Sequence, residues 1–590
     1  MQKAILSGDE AVARAAWEAG VSVAAAYPGT PSTEILENIT TYKDDIYCTW
    51  ANNEKIATEI AIGASIGGMR ALAAMKHVGM NVASDPIFSA AYTGVNGGLV
   101  IVSADDPGCH SSQNEQDNRL YAPHAKIGML EPSDSQECKD FTKAAFELSE
   151  RFDLIMMIRM TTRVCHSKSI VQLDQRENIQ AKTYVSDPQK YAMLPVNARK
   201  RHIAVEANLE ALKAYSYSSD INKTEINDTS IGIITSGISY MHAKEAFGDS
   251  ASYLKLGITY PLSDRLIIEF AQKMKKIYVI EEGEGYLEEA VKALGIDCVG
   301  KQLLGSQGEL NAQKVRIAFG LQAAGEGYAT DKTAPPRPPV LCAGCPHRGF
   351  YHAMGKRKDK ILAVGDIGCY SLGVNAPYNG FDIAICMGSG FSIPIGLSKA
   401  LEMQNDTRKV FGILGDSTFF HSGFNSMVDA IHLGANVCLC VLDNSITAMT
   451  GHQENAGTQK NLMGYEVPAI DILQMIYSTG IDQTCVKIVD PIDQKAMGEA
   501  IDQALETDGP FVIVTKRPCA LLKEVIKANK GAHCTVDPDK CVGCKACMKI
   551  ACPAMAFEGK KANITDEASC TACGLCMQMC KFDAISKAGI

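Results

Sequence analysis

Apolar and polar positions alternate in blocks along most of this chain. Short continuous apolar runs such as VSVAAA, GGLVIVSA and DLIMMIRM end in turns rich in glycine, aspartate or proline. Such runs predict strands buried on both faces. Between them, NEKIATEIAIGASIGG shows helical spacing and small residues, the pattern of a tightly packed helix. Strands alternating with helices predict parallel α/β sheets. Residues 1–170 form a first block, opening with MQKAILSGDEAVARAAWEAG as a buried strand and helix start. Residues 171 to about 228 are polar and irregular and predict mainly a connector. IGIITSG opens a second α/β stretch that includes KKIYVIEEGEG and runs to 334. TAPPRPPV, with Pro335, Pro336, Pro338 and Pro339, predicts an extended linker. A third block spans 335–525, with strands ILAVGDIG, KVFGILGD, ANVCLCVLDN and FVIVTKRP. Ligands bind outside the carboxyl ends of such strands. Residues 530–590 show little apolar periodicity and need metal to hold them together.

The length of 590 residues fits roughly four domains at about 150 residues each. A hydrophobic fraction of 46% with 21% charged residues is that of a globular protein. The net charge of −10 argues against a nucleic-acid partner. No run of 18 apolar residues occurs, so no membrane span is predicted. The N-terminus lacks an apolar signal core, which predicts a cytoplasmic protein.

Cysteine changes the picture. Nine of the 22 cysteines lie after residue 530. Dense, closely spaced thiols in a reducing compartment read as metal ligands. CVGCKACMKIACP holds Cys541, Cys544, Cys547 and Cys552; CTACGLCMQMC holds Cys570, Cys573, Cys576 and Cys580. Two C-x-x-C-x-x-C triplets, each with a following fourth cysteine, form the pattern of a two-cluster ferredoxin. The fourth cysteine crosses over, so one [4Fe–4S] cluster takes Cys541, Cys544, Cys547 and Cys580. The other takes Cys570, Cys573, Cys576 and Cys552. The first run has four residues before Cys552 where three are usual, and Lys581 stands where proline usually follows the second. The extra residue can bulge without moving the ligand. Structural zinc is the competing assignment, but zinc uses pairs of cysteines, not triplets. Cys534 is left without a ligand role. The tail resembles a bacterial ferredoxin.

In the third block, KVFGILGDSTFF brings Gly415, Asp416 and Ser417 to a strand end, and ANVCLCVLDNSITAMTG brings Asp443, Asn444 and Ser445 to the next. A carboxylate, a side-chain amide and a backbone carbonyl suit a hard cation such as Mg2+. The pair resembles the GDG…NN signature of thiamine diphosphate enzymes, with Ser417 for the second glycine and Asp443 for the first asparagine. By that resemblance Asp416, Asn444 and the carbonyl of Ile446 bind Mg2+, while Gly415, Ser417 and Thr447 face the diphosphate. Two ordinary strand-end turns are the plainer alternative.

Thiamine also needs a glutamate on its aminopyrimidine to stabilise the imino tautomer that removes the C2 proton. ANNEKIATEIAIGASIGG resembles the pyrimidine-domain helix of 2-oxoacid:ferredoxin oxidoreductases, which points to Glu54 over Glu59. YPGTPST resembles the same family's YPxTPS loop and places Thr30 near the substrate's carbonyl or carboxylate.

With CAGCPHR, GDIGCY, GDSTFFHSG and DNSITAMTGHQ added, the whole chain resembles the large (alpha) subunits of indolepyruvate:ferredoxin oxidoreductases. The resemblance implies an α/β fold of several thiamine-diphosphate-type parallel-sheet domains plus a small C-terminal two-cluster ferredoxin domain. Residues 1–170 become the pyrimidine-binding domain, 171–334 a connector and transketolase-C-like domain, 335–525 the diphosphate/Mg domain and 530–590 the ferredoxin domain. It implies oxidative decarboxylation of aryl 2-oxoacids, such as indolepyruvate, to acyl-CoA, with electrons passing through the clusters to ferredoxin. Pyruvate or a branched-chain acid is the alternative substrate. A non-catalytic electron-carrier subunit is the alternative role. No stretch remains for a gamma-type domain, so a separate small beta subunit and a heterotetramer of two heterodimers are expected. After GHQ, Glu454, Asn455 and Ala456 replace a proline-containing segment of the relatives.

Four further thiols fall at suggestive places. Cys342 and Cys345 form a C-x-x-C, Cys369 follows one strand and Cys519 another. Pyruvate:ferredoxin oxidoreductases hold a proximal cluster in a similar arrangement, which implies a third [4Fe–4S] cluster here. Buried structural thiols are the alternative. His347, His421 and His452 border these motifs, as acid–base groups or as loop histidines. Pro346 separates Cys345 from His347 and excludes haem attachment at CAGCPHR.

Overall fold

The computed structural model describes residues 2–322, 334–335 and 337–589. The chain forms two compact units, Met1–Lys332 with Leu462–Gly464 and Thr333–Asn461 with Tyr465–Ile590. Of the proline run, Pro336 lies outside the described residues; Pro335, Pro338 and Pro339 are exposed and outside regular structure.

The first unit is built on a seven-stranded sheet. From edge to edge it runs Ile258–Tyr260, Gly128–Leu130, Met156–Thr161, Leu99–Asp105, Ala71–Lys76, Val23–Ala26 and Tyr47–Trp50. All pairings are parallel except that of Ile258–Tyr260 with Gly128–Leu130. Leu99–Asp105 and Met156–Thr161 are buried along their whole length, as helices on both faces require. Gly8–Glu18 and Ser135–Phe152 pack on one face, Glu54–Ile66 and His77–Thr93 on the other. Ile258–Tyr260 comes from the second stretch of sequence and closes the edge of the first sheet. The rest of that stretch forms a five-stranded sheet with Lys223–Glu225 from the polar stretch before it, parallel apart from that edge strand.

Two expectations fail in this unit. Gln2–Ser7 is not a buried strand: it forms an antiparallel ribbon with Lys168–Leu173 and leaves Ile5 69% exposed. A short apolar run does not distinguish a core strand from an edge ribbon. The polar stretch taken for a connector holds the 24-residue helix Pro195–Ser218. Its buried positions Asn197, Val205, Leu209, Leu212 and Ser216 are spaced at eight, four, three and four, a single narrow stripe on an otherwise polar helix.

The second unit carries a five-stranded parallel sheet in the order Ile361–Val364, Lys409–Gly415, Val437–Asp443, Phe511–Lys516, Val486–Val489. The cysteine-rich tail belongs to this unit and adds two small antiparallel ribbons. Ile492 shares an apolar cluster with Cys534, Ile550 and Leu575 of the tail. Arg348 donates to the carbonyls of Ile550 and Ala551 at 3.0 and 2.6 Å, and Tyr378 Oη donates to Ile550 O at 2.5 Å. Among the described residues no helix is long and apolar enough to cross a membrane.

Candidate active site

The strands Lys409–Gly415 and Val437–Asp443 are neighbours, so their carboxyl ends deliver Asp416 and Asn444 side by side. Asp416, Asn444 and Ile446 are all buried. The Asn444 amide lies 2.7 Å from Ile446 O and 3.1 Å from Asp416 Oδ1. With its oxygen turned inward, three oxygens face one another, an arrangement that a cation between them makes favourable. With its nitrogen inward, the amide donates to both. Burial, then the neighbouring Asp443 carboxylate, pushes the Asp416 carboxyl up to about 7. A buried acid so unwilling to ionise alone is matched to a divalent partner. The donor set therefore fits Mg2+.

Around it the loops interlock. Asp443 Oδ1 accepts from Ser445 N at 2.9 Å, and Ser445 takes the left-handed conformation at φ 63°. Thr447 Oγ1 donates to Ser417 Oγ at 2.9 Å, which places the two predicted diphosphate residues together. At Gly415 a Cβ would stand 2.8 Å from the Tyr370 ring, so a side chain there would displace that aromatic. Asn455, from the segment that follows GHQ, donates to Asp416 Oδ2 at 2.9 Å.

Beside these loops Cys342, Cys345, Cys369 and Cys519 lie near enough for each to affect, or be affected by, another's titration. Burial pushes the Cys345 thiol up to about 12, with Cys342 and Cys369 adding to the shift. Burial likewise raises Cys369 to about 11, with contributions from Cys519 and Cys342. Cys519 N donates to Asn444 O at 2.9 Å, so the thiol group and the oxygen cluster share a backbone hydrogen bond. In the tail, burial raises the Cys547 thiol and Cys541, Cys544 and Cys580 add to it. Cys573 is raised by burial and then by Cys552 and Cys570. The fourth cysteine of each run is thus near enough to the other triplet to raise the pKa of one of its thiols. The additional residue of the first run, Ala551, adopts φ 43° and turns its carbonyl to Arg348. Cys534 is buried, its backbone N donating to Cys570 Sγ at 3.3 Å.

In the first unit Glu54 opens the helix Glu54–Ile66, capped by Asn53, whose side chain accepts from Ile56 N at 3.0 Å. Glu54 is buried. A Cβ on Gly79 would lie 2.7 Å from Glu54 Oε1, so the glycine makes room for the carboxylate. Glu59 points elsewhere and pairs with Lys55 on the surface at 2.9 Å. Thr30 is half-buried. A Cβ on its neighbour Gly29 would lie 3.1 Å from Lys76 Cβ.

Two family models cover the α/β blocks: pyruvate flavodoxin/ferredoxin oxidoreductase, thiamine diphosphate-binding, over residues 14–225, and the C-terminal TPP-binding domain of thiamine pyrophosphate enzymes over 366–515. A 4Fe–4S binding domain model matches 564–586. The curated "Indolepyruvate oxidoreductase subunit IorA" of Archaeoglobus fulgidus is 39% identical, with 100% of this chain and 98% of that one covered. Its namesake from Methanothermobacter thermautotrophicus is 38% identical with the same coverage. The chain belongs to the IorA family of indolepyruvate oxidoreductase subunits. Among solved structures, a 2-oxoglutarate:ferredoxin oxidoreductase from Magnetococcus marinus is 17% identical, with TM-score 0.46, over 54% of this chain and 64% of that one.

As a member of the IorA family the chain is the thiamine-diphosphate-dependent subunit of a 2-oxoacid:ferredoxin oxidoreductase that also carries [4Fe–4S] clusters. For this IorA-family chain the structure adds residues that motif reading passed over. Asp366 of GDIG is fully buried and accepts from Gly390 N at 2.7 Å, at the start of the helix Ser389–Met403. That helix rests on the strand leading to Asp416, since a Cβ on Gly412 would lie 2.2 Å from Gly390 O. The glycine pair in MGSGF, ahead of an apolar helix, was the available signal. Lys76 is buried, and burial lowers the pKa of its ammonium, which donates to Ser111 O. No motif flags a lone lysine after AAM. Of the three histidines, His347 is buried with its pKa lowered to about 4, so it stays neutral at pH 7. His421 is buried beside Ser422, Nδ1 to Oγ 3.0 Å, and His452 Nε2 lies 3.7 Å from Cys519 Sγ.

Proposed function

We propose that the chain oxidatively decarboxylates aryl 2-oxoacids, indolepyruvate and its analogues, to acyl-CoA and passes the electrons through [4Fe–4S] clusters to ferredoxin. The observation that carries this reading is the hydrogen bond between Cys519 N and Asn444 O, which joins a thiol group to the oxygen cluster. A cofactor held at the oxygens then has its first electron acceptor as an immediate neighbour. Asp416, Asn444 and the Ile446 carbonyl hold Mg2+; Gly415, Ser417 and Thr447 line the diphosphate. When bound, thiamine diphosphate supplies the carbon nucleophile and electron sink. Glu54 holds the aminopyrimidine in the tautomer that takes up the C2 proton. Thr30 and Lys76 receive the carboxylate end of the substrate.

Cys342, Cys345, Cys369 and Cys519 hold the proximal cluster. The tail holds two more, ligated by Cys541, Cys544, Cys547 and Cys580, and by Cys570, Cys573, Cys576 and Cys552. The domain assignment above accompanies this reading. So do a cytoplasmic location, a small beta subunit with a gamma-type domain and pairs of heterodimers. The relatives' names support the aryl substrate. An anaerobic ferredoxin-reduction assay with CoA over a 2-oxoacid panel tests it: indolepyruvate and phenylpyruvate should be turned over fastest. Preference for pyruvate, a branched-chain acid or 2-oxoglutarate would overturn the substrate assignment.

A further inference from the structure

Away from the thiamine and iron–sulfur residues, three side chains of the first unit converge. Asp9 lies in the first turn of the helix Gly8–Glu18, Glu34 in that of Thr33–Ile39, and His166 ends Thr162–His166. One carboxylate oxygen of each acid and one ring nitrogen of the histidine all lie within 4.8 Å of one another. Asp9 is completely buried, yet neither of its carboxylate oxygens is reached by a nitrogen or oxygen donor, only by the weak donor of the Cys165 thiol, and Glu34 Oε2 has no hydrogen-bond donor either. Buried carboxylates are ordinarily satisfied by donors or by a cation. Here two acids turn toward each other and toward an imidazole, with the buried Cys165 thiol also against Asp9.

We propose that Asp9, Glu34 and His166 hold a zinc ion. Magnesium and calcium call for six or more oxygens, whereas one imidazole with two carboxylates is a borderline donor set that zinc accepts. Zinc stands about 2.1 Å from nitrogen and oxygen ligands, so donors across it are about 4 Å apart at most. A set already within 4.8 Å closes on the ion by small side-chain movements. His166 is exposed and Glu34 half-buried, which gives the ion an approach from solvent to the buried Asp9. The site joins three elements that are distant in sequence. One of them, Thr33–Ile39, begins three residues after Thr30. The ion therefore anchors the loop YPGTPS from outside the reaction centre. This inference does not depend on the substrate or the cluster count.

Elemental analysis of the cluster-loaded holoenzyme tests it. The parent, Asp9→Asn and His166→Ala are equilibrated with micromolar zinc and dialysed anaerobically. The parent should retain about one zinc per chain more than either variant, with iron equal in all three. Zinc should also raise the melting temperature of the parent but not of His166→Ala, whose exposed side chain leaves the core intact. Equal zinc in parent and His166→Ala would overturn the site. So would a parent that binds no zinc, the outcome if Asp9 and Glu34 merely share a proton.

Discussion

The second unit contains two groups of thiols that are specified in opposite ways. The eight cysteines of the tail's two C-x-x-C-x-x-C runs fall within residues 541–580, at spacings that bring each triplet together whatever the rest of the chain does. Cys342, Cys345, Cys369 and Cys519 are spread over 178 positions and come near one another only through the fold, two of them on loops that follow strands of one parallel sheet. Cys369 follows the edge strand Ile361–Val364 and Cys519 follows Phe511–Lys516; Lys409–Gly415 and Val437–Asp443, the strands that end in Asp416 and Asn444, lie between them. The second group is therefore tied to the cofactor site and the first is not. The two are nonetheless adjacent: a Cβ on Gly344 would stand 2.0 Å from Thr571 Oγ1, and Arg348 Nε donates to Cys342 O while its Nη1 donates to Ala551 O, next to Cys552.

The largest effect that separates the two groups is expected from Asp416→Ala. It removes the metal's carboxylate, and activity should fall by about 10³-fold or more, several kcal/mol at about 1.4 kcal/mol per tenfold. Thiamine should wash out on gel filtration while iron content stays at the parental value. Thiamine retained at parental stoichiometry would contradict the metal assignment. Glu54→Gln should keep thiamine and iron and slow C2-proton exchange of the bound cofactor by about 10²–10⁴-fold, read by NMR after acid quench. Unchanged exchange would remove Glu54 from its role.

Arg348→Ala strikes the bridge between the groups. Losing charged hydrogen bonds from a buried site costs about 1.5–3 kcal/mol, so the tail should release its iron at lower denaturant concentration than in the parent. Coincident release curves would show that the bridge is idle. The smallest effect is expected from Lys76→Ala, a rise of about tenfold in KM for the 2-oxoacid with kcat changed less, as removal of one charged hydrogen bond implies. An unchanged KM would place the carboxylate elsewhere.

What the sequence made legible follows the same division. The α/β blocks, the 4Fe–4S character of the tail and the Asp416–Asn444 pair were readable because short runs and fixed spacings determine them. The 24-residue helix Pro195–Ser218 was not, because a narrow buried stripe on a polar surface leaves little periodicity to detect. Asp366, Lys76 and Gly79 were silent for another reason. Each matters only through a neighbour that the fold supplies: Gly390, Gly29 and Glu54 respectively. Asn455 stood out beside the GHQ motif, but its contact with Asp416 required the loop's path.

The central claim is that the topologically assembled thiols form a cluster beside the cofactor, the first stop for its electrons. The most direct measurement is iron per chain in fully loaded, active holoenzyme and in Cys345→Ser, both prepared anaerobically. Three cubanes require about 12 iron atoms in the parent and about 8 in the variant, at four per cubane. A value near 8 in both would contradict the account and leave Cys342, Cys345, Cys369 and Cys519 as structural thiols.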